Sequence, residues 1–166
     1  MRITEQALDI TEAPNADMFA LWRAVFGMVL VDDDFSKEEE ATLNNVMDVF
    51  AFSEGQRDVI AKDIKVPSDI VKLFKDIESL QYRKQFFILA RIVAWCDGFF
   101  HDDEKHALEA VEQSLNNPQD YESELRFLMR KPAVPDGLIG ENDEERMMQH
   151  VVLLMAEFYK GGDETL

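Results

Sequence analysis

The sequence predicts an all-α fold, an internally duplicated bundle of about seven to eight helices. Three observations predict it. Apolar residues recur at spacings of three and four along most of the chain, which is the period of an amphipathic helix. Only seven glycines and five prolines interrupt the 166 residues. Several stretches also begin with a Ser or Asn in the position and context of a helix N-cap.

The first half of the chain is expected to hold a lead-in tail over residues 1–14 and then four helices. These helices are predicted over residues 16–31, 37–50, 54–64 and 67–76. Asn15, Ser36 and Ser53 are their expected N-caps, because each can accept a hydrogen bond from a backbone N–H in the first turn. Glu39 and Gln56 stand three residues after the two serines and complete two capping boxes.

The second half is expected to hold four more helices, over residues 80–96, 102–115, 118–130 and 142–160. Pro118 suits the first helical position of the third of these. Gly161 and Gly162 are expected to end the last helix. Residues 15–166 are therefore expected to form a single helical domain, with pseudo-repeats over about 16–64 and 80–130 and a C-terminal helix over about 142–160. An apolar stripe of three methionines on that last helix is interpreted as core.

An internal repeat connects the two halves. The segment MVLVDDDFSKEEEATLNNV, residues 28–46, aligns with VAWCDGFFHDDEKHALEAV, residues 93–111, at an offset of 65. Each copy reads as an apolar helix, an acidic turn and an amphipathic helix, and such repeats indicate duplicated structural units. Two copies of one helix pair usually pack about a pseudo-two-fold axis. We therefore expect the two acidic turns to occupy comparable environments, near each other.

The acids of these turns have two interpretations. As caps, Glu39 and Glu104 stand where a Glu accepts from the cap backbone, and Asp32 and Asp97 can accept from turn amides. As ligands, carboxylates from both turns would supply oxygens to Ca²⁺ or Mg²⁺, which would relieve the repulsion between crowded acids. The candidate metal ligands are Asp32, Asp34, Glu39, Asp97, Asp102 and Glu104.

Two familiar metal sites do not fit these turns. An EF-hand loop requires Gly at position 6 and Glu at position 12, but Lys37 and Leu43 stand there when counting begins at Asp32. A zinc site is disfavoured because His101 and His106 are five residues apart, which places them on different sides of a helix. Cys96 lies nearby, at the end of an apolar face, and is interpreted as core.

Composition narrows the classes of function. The chain carries 34 acidic and 17 basic side chains, a net charge of −17, so it is expected to repel nucleic acid and to suit a cation or a basic protein partner. With one cysteine there is no internal disulfide, which together with acids in the first residues favours a cytoplasmic protein. No apolar run approaches the ~20 residues of a transmembrane helix. A basic stretch over residues 62–91 would let oppositely charged faces of two copies associate as a homodimer.

The sequence favours a binding module over an enzyme. It contains no nucleophile elbow, phosphate-binding loop, zinc-protease motif or dinucleotide fingerprint, and we assign no catalytic residue. A carboxylate-metal enzyme is the further alternative, but bundle di-iron sites use Glu-x-x-His motifs, and no such motif occurs here.

The repeat also carries a family resemblance. An apolar helix that ends in Asp-Gly, followed by Glu seven residues after the Asp, resembles the TerB-like family of tellurite-resistance proteins and DjlA-type co-chaperone regions. The match is good at AWCDGFFHDDEKHAL and weaker at LVDDDFSKEEEATL, where Asp33 replaces the glycine, and it covers about residues 16–115. The resemblance implies a duplicated helical bundle, divalent-metal binding at the acidic turns, and a stress-response or interaction role. The metal-free alternative is a protein-interaction domain that binds a basic partner through its acidic face.

Overall fold

The structure, a computed structural model, describes residues 10–31 and 35–164, with side chains described as far as residue 160. The described residues form eight α-helices, one 3₁₀ turn and no strand, which confirms the all-α prediction. The helices are α1 (Ala16–Leu30), α2 (Lys37–Val49), α3 (Glu54–Lys65), α4 (Ile70–Lys75), α5 (Leu80–Ala94), α6 (Asp102–Gln113), α7 (Glu122–Arg126) and α8 (Asp143–Glu164). None of the helices in these ranges combines the length and the apolar character that crossing a bilayer requires.

The three predicted N-caps of the first half of the chain are confirmed by their hydrogen bonds. Asn15 accepts from the Met18 N–H at 2.8 Å and begins α1. Capping boxes begin α2 and α3, where the hydroxyls of Ser36 and Ser53 accept backbone N–H groups at 3.1 and 3.2 Å. Such local bonds satisfy the N–H groups that a helix leaves without partners in its first turn.

Helix α2 ends in a left-handed residue that is not glycine. Ala51 has a φ of 57°. The Phe52 N–H donates to the Met47 carbonyl at 3.0 Å, and the Ala51 N–H donates to the Asp48 carbonyl at 3.3 Å. These two bonds are those of a Schellman motif, which usually places glycine at this position. The Cβ of Ala51 is therefore strained, at a cost of roughly 1–2 kcal/mol.

We expect Ala51→Gly to raise the free energy of unfolding by about 0.5–1 kcal/mol, because relief of this strain exceeds the added entropy of the unfolded chain. Urea unfolding followed by circular dichroism measures the change. Ala61→Gly, at an exposed position inside α3, is the matched control and should lose about 0.5–1 kcal/mol. An Ala51→Gly protein no more stable than the parent would contradict the strain argument.

The core lies around α1 and α5, which pack against each other. Helices α3 and α4 pack on α1, whereas α7 and α8 pack on α5. The largest fully buried side chains include six aromatic residues: Trp22, Phe26, Phe50, Phe74, Phe86 and Phe87. Helix α5 buries one face made of Phe86, Phe87, Leu89, Ala90, Ile92, Val93 and Ala94. Helix α4 approaches α1 closely at Gly27, where an added Cβ would lie 2.8 Å from Cδ1 of Leu73.

Two polar contacts hold α1 to distant parts of the chain. Arg23 donates two parallel hydrogen bonds of 2.8 Å to the carboxylate of Asp63 on α3. The carboxylate of Asp17 accepts the N–H groups of Glu78 and Ser79 at 2.7 and 3.0 Å. Asp17 therefore caps the start of α5 from another helix, since Ser79 makes no capping hydrogen bond with its own side chain.

Helix α8 belongs to the same core. Met147, Met148 and Met155 are buried, which confirms that the methionine stripe is core. The indole N–H of Trp22 donates to the Tyr159 hydroxyl at 2.9 Å, so a buried donor of α1 is satisfied by the last helix. Burial raises the pKa of Tyr159, so this hydroxyl stays protonated.

Three predicted helix boundaries are wrong. The helix expected over residues 118–130 is a 3₁₀ turn, Pro118–Tyr121, followed by the short α7, because the chain bends to bury Tyr121 against Phe87 with ring centroids 5.5 Å apart. The fourth helix begins at Ile70 rather than at residue 67. Helix α8 continues through its two glycines to Glu164, since glycine weakens a helix without ending it.

The helix bounds follow the offset of the sequence repeat. Adding 65 to the first residues of α1 and α2 gives 81 and 102, and α5 and α6 begin at Leu80 and Asp102. Adding 65 to their last residues gives 95 and 114, and α5 and α6 end at Ala94 and Gln113. The aligned helices therefore agree within one residue at each end.

Candidate functional site

The candidate site is a cavity of about 570 Å³, referred to below as the acidic cavity. The end of α1, the start of α2, the turn between α5 and α6, and the start of α8 surround it. Residues of both aligned segments, 28–46 and 93–111, thus line one cavity. The lining residues are Met28, Val29, Ser36, Glu38, Glu39, Ala41, Thr42, Leu43, Val93, Cys96, Asp97, His101, Glu104, Asn142, Glu144, Glu145 and Met148.

Two of the lining carboxylates are held by the caps of their own helices. Glu39 Oε1 accepts from the N–H and the hydroxyl of Ser36 at 3.3 and 3.1 Å. Glu104 Oε1 accepts from the N–H of His101 at 3.1 Å. The capping interpretation of both residues is therefore confirmed, and the two copies use the same bond at aligned positions.

Asp97 organises the turn between α5 and α6. Its Oδ1 accepts from the Phe99 N–H at 3.0 Å, and its Oδ2 lies 2.7 Å from Nε2 of His101. Gly98, between Asp97 and Phe99, has a φ of +89°, a backbone conformation that is strained for a residue with a Cβ. The Asp-Gly pair of the sequence motif therefore shapes the turn and fixes the Asp97 carboxylate at the acidic cavity.

The six candidate ligands are placed as follows. Glu39, Asp97 and Glu104 line the acidic cavity. Asp102, the first residue of α6, is exposed and does not line it. Asp32 and Asp34 lie outside the described residues. Across residues 10–31 and 35–164, no three His, Cys, Asp or Glu side chains form a group that could hold a metal ion.

Helix α8 supplies two acids that sequence reasoning missed. Glu144 and Glu145, in its first turn, line the acidic cavity opposite the two repeats. Burial raises the pKa of Glu144, and the nearby charges of Glu39 and Asp97 raise it further. The signal in the sequence was a third acid-rich helix start, after Asn142. No local pattern indicates that this start lies at the same cavity as the starts of α2 and α6.

The lining of the acidic cavity is rich in negative charge. Its lining includes six carboxylates, those of Glu38, Glu39, Asp97, Glu104, Glu144 and Glu145, and no described lysine or arginine. Burial raises the pKa of the Cys96 thiol, and the charges of Glu144, Asp97, Glu104 and Glu39 raise it further. The thiol therefore stays protonated at neutral pH. The arrangement favours a positively charged ligand, because repulsion between like charges this close raises the free energy and an opposite charge lowers it.

Neither a protein-family model, nor a curated protein, nor a solved structure matches this chain.

Proposed function

We propose that the chain is a non-enzymatic interaction module of the TerB-like type, and that its acidic cavity binds a positively charged ligand. The observation that supports this most is the set of six lining carboxylates with no described lysine or arginine among them. Burial raises the pKa of Glu144, and the charges of Glu39 and Asp97 raise it further, as expected for a carboxylate in an acidic environment. The proposal also includes duplication of the helix pair, which the 65-residue offset of the helix bounds supports.

A divalent cation is the first candidate ligand, in line with the TerB-like resemblance. Carboxylate oxygens are the donors that Ca²⁺ and Mg²⁺ prefer, so the chemistry of the lining fits these ions. The described geometry by itself forms no three-ligand group. An ion would therefore be held by Glu39, Asp97 and Glu104 only after their side chains converge.

The test is a thermal melt of chelator-treated protein with Ca²⁺, Mg²⁺, Mn²⁺ or Zn²⁺ added at physiological salt. An ion that binds only the folded state stabilises it by about 2.7 kcal/mol at a hundred times its dissociation constant. We expect one hard cation to raise the melting temperature in this concentration-dependent way. We also expect Asp97→Asn with Glu104→Gln to lose the response while the far-ultraviolet circular dichroism stays helical, since a Gln at 104 can still cap.

The matched control is Glu54→Gln with Glu122→Gln. Both residues are exposed first-turn acids, on α3 and α7, and neither lines the acidic cavity. This control removes the same number of charges and should keep the cation response. Equal loss in both double variants would indicate general charge screening, and no response to any ion in the parent protein would rule out the cation as ligand.

A further inference from the structure

The acidic cavity pairs its carboxylates with an apolar floor. The apolar lining residues are Met28, Val29, Leu43, Val93 and Met148. Four of them are buried in the core and Val29 is half-buried, so the apolar surface open to a ligand lies mainly at Val29 and at the exposed Ala41 of α2. A small hydrated ion would make no favourable contact with these side chains. A ligand that combines positive charge with apolar surface would contact both parts of the lining.

The size and the charge distribution favour the same kind of ligand. A volume of about 570 Å³ falls within the range of roughly 300–1,000 Å³ that is typical of sites for organic ligands. The carboxylates also come from three separate helix starts or turns, and among the described residues no three converge on one point. Charges spread around an apolar floor match a ligand whose charges are themselves spread.

We propose that the acidic cavity is the docking groove for a basic amphipathic segment of a partner protein. This inference rests on the proposed function, because it names the class of partner for the same cavity. Lysine and arginine side chains of the segment lie against Glu39, Asp97 and Glu144. Their alkyl stems and one neighbouring apolar side chain cover Val29 and Ala41, as such stems cover apolar surface elsewhere while the charge remains in water.

Charge complementarity selects this occupant over others. A nucleic acid or an acidic segment would meet six carboxylates and a chain of net charge −17. A purely apolar segment would bury these carboxylates without a partner, which is costly. An arginine-rich or lysine-rich segment gains charge-assisted hydrogen bonds to the same groups.

The test uses a fluorescent synthetic peptide of leucine and lysine at helical spacing, and its leucine and glutamate counterpart, in anisotropy titrations with the full chain. We expect the lysine peptide to bind and the glutamate peptide not to bind. Glu39→Gln with Glu144→Gln should weaken lysine-peptide binding by at least about tenfold, whereas Glu54→Gln with Glu122→Gln should change it less than about twofold. Gln at position 39 keeps the cap, so the fold is retained.

A steric variant tests the floor independently of charge. Ala41 lines the acidic cavity from an exposed position on α2, so Ala41→Trp fills the cavity without disturbing the core. It should weaken binding of the lysine peptide by more than about tenfold. Unchanged binding in Ala41→Trp, or equal effects of the two charge variants, would place the peptide elsewhere on the acidic surface and overturn the inference.

The outcomes separate this inference from the proposed function. If cations stabilise the protein and the lysine peptide does not bind, the cation-binding module stands and the docking groove fails. If the peptide binds in the cavity without any cation response, the docking groove stands and the ion fails. If the protein instead sediments as a dimer that Lys62→Glu with Lys65→Glu dissociates, the occupant is a second copy of this chain, and the partner-segment inference is wrong.

Discussion

Replacement of Asp63 by alanine should lower the free energy of unfolding by about 3 kcal/mol. Asp63 is 7% exposed and accepts two 2.8 Å hydrogen bonds from Arg23, whose pKa is raised chiefly by this carboxylate. Removal of the carboxylate leaves a half-buried guanidinium without its partner, and the desolvation of that charge is then uncompensated. Urea unfolding at neutral pH, followed by circular dichroism, measures the loss.

The chain offers a matched control for this prediction. Arg57 and Asp48 also form an ion pair, at 2.7 Å, but their side chains are 35% and 58% exposed. Asp48→Ala should therefore cost no more than about 1 kcal/mol. If Asp63→Ala and Asp48→Ala cost the same, burial does not decide the strength of these pairs.

Alkylation of Cys96 by iodoacetamide is expected to be more than about two orders of magnitude slower at pH 8 than that of a free thiol. The thiolate is the reactive form, and burial raises the thiol pKa, with Glu144, Asp97, Glu104 and Glu39 raising it further. A raised pKa keeps the thiolate fraction small, so the rate should still increase about tenfold per pH unit up to pH 10. Mass spectrometry of the intact protein gives the rate.

The same reaction also reports on the acidic cavity. In urea the thiol should react at the rate of a free cysteine, which provides the reference within one molecule. Glu144→Gln should accelerate alkylation of the folded protein, since one raising charge is removed while burial remains. A rate that levels off below pH 9 in the folded protein would show that the thiol pKa is not raised.

Local signals predicted most of the helices, and tertiary contacts explain where prediction failed. The capping boxes at Ser36 and Ser53 are made within four residues, so the sequence contains everything they require. The bend over residues 118–130 is different. It is set by burial of Tyr121 against Phe74 and Phe87, residues far away in the sequence. No local pattern indicates that contact.

The residues of the candidate site also fall into those that a sequence pattern predicted and those that only tertiary packing brings to the cavity. Glu39, Asp97 and Glu104 were found because the repeat aligns them. Asp102 was assigned with them, but it precedes Glu104 by two residues, which is about 200° around a helix and faces away. Glu144 was missed, because only the packing of α8 against α5 brings it to the acidic cavity.

The cap that Asp17 provides for α5 has a consequence for folding. A helix usually carries its own N-cap, so its first turn can form while the rest of the chain is disordered. The amides of Glu78 and Ser79 instead find their acceptor 61 and 62 residues earlier, on α1. These two hydrogen bonds at the start of α5 therefore form only once α1 has docked, and they require the closure of that long loop. The two repeats are thus expected to fold as one cooperative unit.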